Sequence, residues 1–260
     1  MKIVVCIKQV PDTNEVKLDP VTGTLIRDGV PSIINPDDKA GLEAALAIKD
    51  SIGAEVTVIS MGPLQADAVL REGLAMGADN AYLVSDRAFG GADTLATSTT
   101  LAAAIKKLEY DLIITGRQAI DGDTAQVGPQ ISEHLGIPNV SYAEDIRVEG
   151  EFVIVKRQYE DRYHTIKVQM PCLITALGEM NQPRYMTPGG IFDAYREKEV
   201  VVWTRQDLEV DDDSIGLKGS PTKVAQSFPK SVKPAGTKVS LDAEESADYI
   251  IEKLKEKFVI

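Results

Sequence analysis

Along the first two-thirds of the chain, short apolar runs alternate with longer stretches whose apolar positions recur at helical spacing. KIVVCIK (2–8), EVTVIS (55–60), NAYLVS (80–85) and YDLIIT (110–115) have strand length and are apolar on both faces. DDKAGLEAALAIKDSIG (37–53), PLQADAVLREGLAMGAD (63–79), DTLATSTTLAAAIKKLE (93–109) and TAQVGPQISEHLG (124–136) read as helices. Their acidic or Pro-containing starts and the glycines at 53, 77 and 136 match the usual start and stop signals. Strands buried on both faces and separated by helices predict a parallel sheet covered on both sides.

The pattern changes after residue 140. SYAEDIRVEG, EFVIVKRQY and HTIKVQM alternate apolar and polar residues around Glu149-Gly150 and Asp161-Arg162, which predicts antiparallel hairpins. PCLITAL (171–177) returns to a buried strand. From Glu197 the rhythm weakens, and 207–238 carries Pro, Gly, Ser and charge with little period. A stretch of that length without its own elements is either disordered or laid on another surface. The tail regains helical spacing, with Ala247, Ile250, Ile251, Leu254 and Phe258 on one face. An irregular arm followed by a helix suggests docking on a partner chain.

Composition narrows the function classes. A net charge of -12 repels nucleic acid and anionic membranes. No apolar run approaches the length of a membrane span, and MKIVVCIK lacks the form of a signal peptide. Cys6 and Cys172 fall in strand-like runs and are expected as buried free thiols, which places the chain in the cytoplasm.

The familiar chemistry is missing. There is no GxGxxG after the first strand, no P-loop, and no metal-ligand spacing around His134 and His164. His134 is expected simply as a favourable charge at a helix C-terminus. What remains is a set of strand ends, where ligands sit in open parallel sheets. Lys8–Asp12 with SIINPDDKA (32–40), SMGPLQAD (60–67), SDRAFGGADTLATS (85–98) and TGRQAIDGDTAQVGPQISEHL (115–135) all land there. Each offers backbone N–H groups at a helix start, able to hold a phosphate without lysine, and Gly122 allows a ligand to approach the backbone. Taken alone, Asp121 and Asp123 read first as helix caps. Arg117, Gln118 and Gln126, converging on the same turn, exceed what a cap needs. Thr94, Thr97 and Ser98 read either as a polar helix start or as hydroxyls offered to a flavin or nicotinamide ring.

VVCIKQVPD, INPDDKAGLEAAL, SMGP with LREGLAMGAD, TGRQAIDGDTAQVGPQISEHLGIP, VKRQYEDRYHTIKVQMPCLIT and NQPRYMTPGGIFDA occur in one order along the chain. In these segments it resembles the beta subunits of electron transfer flavoproteins over essentially its full length. The resemblance implies a Rossmann-like α/β fold of the adenine-nucleotide-binding (alpha hydrolase-like) type, over 1–196, with an antiparallel extension. Residues 197–260 would be a C-terminal arm and helix embracing an alpha subunit that carries exchangeable FAD. It implies AMP, or in electron-bifurcating members a second FAD, held by Cys6, Asn35, Asp38, Met61 and Gly116 through Val127. That last stretch includes Arg117, Gln118, Asp121, Gly122, Asp123, Thr124, Ala125 and Gln126. The loop 182–196 would touch an acyl-CoA dehydrogenase, with Pro188 where mammalian-type members hold an exposed Leu. SDRAFGGADTLATS looks like the bifurcating clostridial type, with the flavin ring and NADH near Phe89, Thr94 and Thr97. The resemblance thus favours FAD over AMP and NADH as electron donor. A structural AMP-binding subunit and a self-contained signalling module are the alternatives.

Overall fold

The computed structural model describes residues 1–12, 31–222 and 235–260, in two compact units, Met1–Ala225 and Gln226–Ile260. The first unit begins with β1 (Lys2–Cys6), a two-stranded antiparallel ribbon of β2 (Gln9–Pro11) and β3 (Ser32–Ile34), and α1 (Pro36–Ile52). There follow β4 (Glu55–Met61), α2 (Asp67–Met76), β5 (Asn80–Val84), α3 (Thr94–Ile105), β6 (Leu112–Gly116) and α4 (Val127–Leu135). β7 (Asn139–Glu149), β8 (Phe152–Gln158) and β9 (Tyr163–Gln169) form the hairpins. β10 (Cys172–Ala176), α5 (Pro188–Arg196) and β11 (Val200–Trp203) complete the unit, and α6 (Ala243–Glu256) lies in the second.

Nine strands make one sheet, in the order β11-β5-β4-β1-β6-β10-β7-β8-β9. Neighbours are parallel from β11 through β7, and β8 and β9 add an antiparallel edge. The parallel strands are apolar on both faces because both are covered. Ile3 and Val5 face a core with Leu42 and Leu46 of α1 and Leu70 and Leu74 of α2. Val4 and Cys6 face a second core with Leu101 and Ile105 of α3 and Ile131 of α4.

Besides the short β2–β3 ribbon, α5 and β11 went unread in the sequence. Val200–Trp203 is only four residues long and becomes a strand by pairing with β5, Val200 opposite Ala81. The 182–196 loop contains a helix, α5, which Gly189 and Gly190 disguise. Thr187 caps it by accepting from the Gly190 N–H, and Pro188 occupies its first turn. Gly190 is required by contact: a Cβ there would stand 2.3 Å from the Ala75 carbonyl oxygen of α2.

The segment before α5 is pinned to α1. Arg184 pairs with both oxygens of Glu43, at 2.9 and 3.0 Å, and with Asp50 at 2.9 Å. The side chain of Asn181 donates to the Ala40 carbonyl. These bonds hold a turn on which Tyr185 is 94% exposed. Arg184→Ala is expected to cost about 1 kcal/mol, since the pair is partly solvated. Proteolytic cleavage within 182–187 should then accelerate several-fold, read by limited digestion and mass spectrometry.

Residues 205–222, read from sequence as part of an arm, belong to the first unit. The Arg205 N–H donates to Asp86, and the Leu217 N–H donates to the Gly90 carbonyl. The interval 223–234, also assigned to that arm, is outside the described residues. In the second unit α6 has no buried residue, and Ile250, Ile251 and Phe258 are exposed.

Candidate functional site

β1 lies between β4 and β6 at the centre of the sheet, and the helices that follow these strands leave toward opposite faces. The chain reverses its winding there, which opens a crevice beyond the carboxyl ends of β1 and β6. Asp38, in the first turn of α1, closes its floor. The buried carboxylate accepts the Lys8 N–H at 2.8 Å and the Gly116 N–H at 3.0 Å, clamping the two strand ends together. Burial pushes its pKa up to about 7 against those hydrogen bonds, with the neighbouring Asp37 adding to the rise. Both its oxygens are therefore committed to the fold. A Cβ at Gly116 would sit 2.2 Å from Asp38 Oδ1, so only glycine fits at this strand end.

The loop from Gly116 to Gln126 is fastened from below. Asn35 donates to the Gln118 carbonyl at 2.8 Å and accepts from the Ile120 N–H at 3.0 Å. Arg117 lies 3.4 Å from Asp37. Lys8 Nζ, at the end of β1, meets Asp121 at 2.6 Å, and the Gln118 side chain donates to Asp123. Neither carboxylate caps α4, and each has a partner of its own. The lysine absent from the segment is supplied by the connection after β1.

Asp123 and Ala125 take left-handed backbone, at φ 52° and 53°. Non-glycine residues rarely hold that conformation unless their surroundings fix it. It ends any helix extending to Thr124, so α4 starts at Val127, three residues later than the sequence suggests. The helix has no side-chain cap. Among the described residues, the N–H groups of Thr124, Ala125, Gln126, Val127 and Gly128 find no acceptor within the protein. Such a run of amides at a helix start can receive an anion. Nothing lies within 4 Å of a Cβ built on Gly122, so the approach is open there, whereas Gly128 is forced by Thr115 Oγ1 at 2.6 Å.

A second wall comes from α3. Asp93 caps it by accepting from the Ala96 N–H at 3.1 Å. Thr94 Oγ1 donates to Gln126 Oε1 at 2.9 Å, which joins the starts of α3 and α4. Thr97 is half-buried one turn on, and Phe89 is buried in the core beneath. Ser98 is fully buried; its hydroxyl bonds the Leu95 carbonyl and contacts His134 Nε2 at 3.2 Å, so it is a helix-to-helix contact. Cys6 and Met61 end β1 and β4 at the crevice. Burial, with the Asp38 charge adding, raises the Cys6 thiol to about 12, so it is no nucleophile. The partners of Lys8 and Asp93 are what a one-dimensional reading misses, because they lie over a hundred positions away. Among the described residues no cluster of His, Cys, Asp and Glu could hold a metal ion, and no helix is long and apolar enough to cross a membrane.

Sheet order, crevice and hairpin edge define a doubly wound α/β protein whose candidate site lies at the switch point. Residues 22–208 match the electron transfer flavoprotein domain, and the chain belongs to the electron transfer flavoprotein family, as a beta subunit. It is 60% identical, over the full length of both chains, to the electron transfer flavoprotein subunit beta of Clostridium acetobutylicum. It is 57% identical to the caffeyl-CoA reductase-Etf complex subunit CarD of Acetobacterium woodii, again over all of both chains. Identity to the acryloyl-CoA reductase electron transfer subunit gamma of Anaerotignum propionicum is 48%, also at full coverage.

Proposed function

We propose that this beta subunit holds FAD in the switch-point crevice and carries electrons between NADH and an acyl-CoA dehydrogenase by flavin-based bifurcation. The observation that carries this reading is the row of amides from Thr124 to Gly128 that have no acceptor among the described residues. It fits the negatively charged phosphates of an adenine nucleotide, and the partnered Asp121 and Asp123 leave those amides free for an anion. The Thr94–Gln126 bond supports FAD rather than AMP, because it extends the lining from the phosphate cradle to the 85–98 loop. When bound, the flavin supplies hydride acceptance from NADH and release of single electrons. The chain's own residues bind and orient it. Asn35 fixes the loop's height, Asp38 fixes the floor, and Gly122 leaves the backbone open.

The complex is cytoplasmic and contains an alpha subunit, with residues 197–260 as the docking region. The exposed apolar stripe of α6 supports that assignment, since a surface helix with no buried residue normally has a partner. The exposed Tyr185, Phe192 and Tyr195 around α5 support this surface as the dehydrogenase contact.

Adenine nucleotides released by acid from the purified alpha–beta complex test the proposal. Two FAD per heterodimer is the expected result. One FAD with one AMP would replace bifurcation by a structural nucleotide role, and no adenine nucleotide beyond the alpha subunit's FAD would overturn both.

A further inference from the structure

We propose that Asp93 is a positioning residue of the nucleotide site, anchored from the far end of the chain by Ser220 and Thr222; this rests on the reading of the crevice given above. A helix cap needs one carboxylate oxygen, and Asp93 Oδ1 serves the Ala96 N–H. The other oxygen, Oδ2, accepts from both the Thr222 N–H at 3.0 Å and the Thr222 hydroxyl at 2.7 Å. The Asp93 N–H in turn donates to Ser220 Oγ at 2.8 Å. Capping alone explains none of these last three bonds.

The anchor is itself rigidly built. Ser220 is buried and also donates to the Gly216 carbonyl at 2.7 Å. Gly216 has φ 55°, and a Cβ there would stand 2.0 Å from the Ala88 oxygen, so the strap meets the 86–93 loop backbone to backbone. The Leu217 N–H donates to Gly90 at 3.0 Å, and the Arg205 N–H donates to Asp86 at 3.0 Å. Residues 205–222 thus grip that loop from Asp86 to Asp93. The next residue, Thr94, donates to Gln126 in the middle of the amide cradle. Thr222, Asp93, Thr94 and Gln126 form one line from the end of the strap to the phosphate site. A displaced Asp93 would carry Thr94 with it and leave the Gln126 side chain free to turn.

The test uses the holo alpha–beta complex and measures nucleotide dissociation from the beta subunit alongside thermal unfolding. Thr222→Val removes a hydroxyl from an exposed position and leaves the α3 cap in place. It should speed dissociation about fivefold with little change in melting temperature. Thr222→Ser should restore the slow rate. Thr222→Val added to Thr94→Val should give no further acceleration, because both act through the same bond to Gln126. Unchanged dissociation in Thr222→Val, or independent multiplication of the two effects, overturns the inference. Gln126→Glu separates it from its premise. Nucleotide loss in that variant without any effect of Thr222→Val sinks only the role of Asp93. No nucleotide loss in either variant sinks the cradle itself, and the positioning role with it.

Discussion

Gln126→Glu is expected to weaken adenine-nucleotide retention about thirtyfold while leaving the fold intact. The substitution is isosteric, and a glutamate oxygen still accepts the Thr94 hydroxyl that Gln126 Oε1 accepts at 2.9 Å. What changes is one negative charge placed beside five amides that have no acceptor among the described residues. With a phosphate several ångströms away at an effective dielectric near 20, the repulsion is about 2 kcal/mol, which is roughly thirtyfold in affinity. In the absence of nucleotide the same charge faces the positive end of the α4 dipole, worth about 0.5 kcal/mol in favour of the fold. Binding and stability should therefore move in opposite directions, a signature that generalised misfolding does not produce. Equilibrium dialysis of released nucleotide and thermal unfolding of the apo complex read the two effects. A variant that retains nucleotide like the parent chain would remove the phosphate from this loop.

The second large effect concerns Asp38. Its folded pKa, pushed up to about 7 by burial, lies above the unfolded carboxylate value. Between these two values the folded protein keeps a proton that the unfolded chain has lost. The contribution of Asp38 to stability is therefore largest below about pH 4, declines as pH rises toward 7, and is flat above that. Up to about 4 kcal/mol changes across this window if no other group compensates. Asp86, Asp93 and Asp207 have lowered pKa values and work in the opposite direction, but their contribution is lost only as pH falls below the ordinary carboxylate range. Asp38→Asn should abolish the decline between about pH 5 and about pH 7. It should also cost about 1–3 kcal/mol near pH 5, because an amide cannot accept from both the Lys8 and Gly116 N–H groups. The deficit against the parent chain should shrink near pH 8. Urea unfolding at the two pH values checks this, and an unaltered pH slope in the variant would locate the titrating group elsewhere.

Much of the architecture was legible in one dimension. β1, β4, β5, β6 and β10 read as strands because they are apolar on both faces, and only a sheet covered on both sides calls for that. The hairpins read from period-two alternation around Gly150. α5 and β11 did not, for different reasons. Glycines that lower helix propensity are there because α2 passes too close for a side chain, and a four-residue strand has too short a period to stand out.

The site divides in the same way. Sequence alone determined which segments fall at the strand ends, and that the stretch from Gly116 to Val127 is unusual among them. It did so because helix starts, glycines and apolar runs are local signals. Tertiary structure decided what the residues do. It turned Asp121 toward Lys8 and Asp123 toward Gln118, made Asp38 a clamp across the switch point, and tied Asp93 to Thr222. It also bent Asp123 and Ala125 into left-handed backbone, which starts α4 late and leaves its first amides without an acceptor among the described residues. These are pairings between distant residues, fixed by packing and burial rather than by propensity, so no window along the chain contains them.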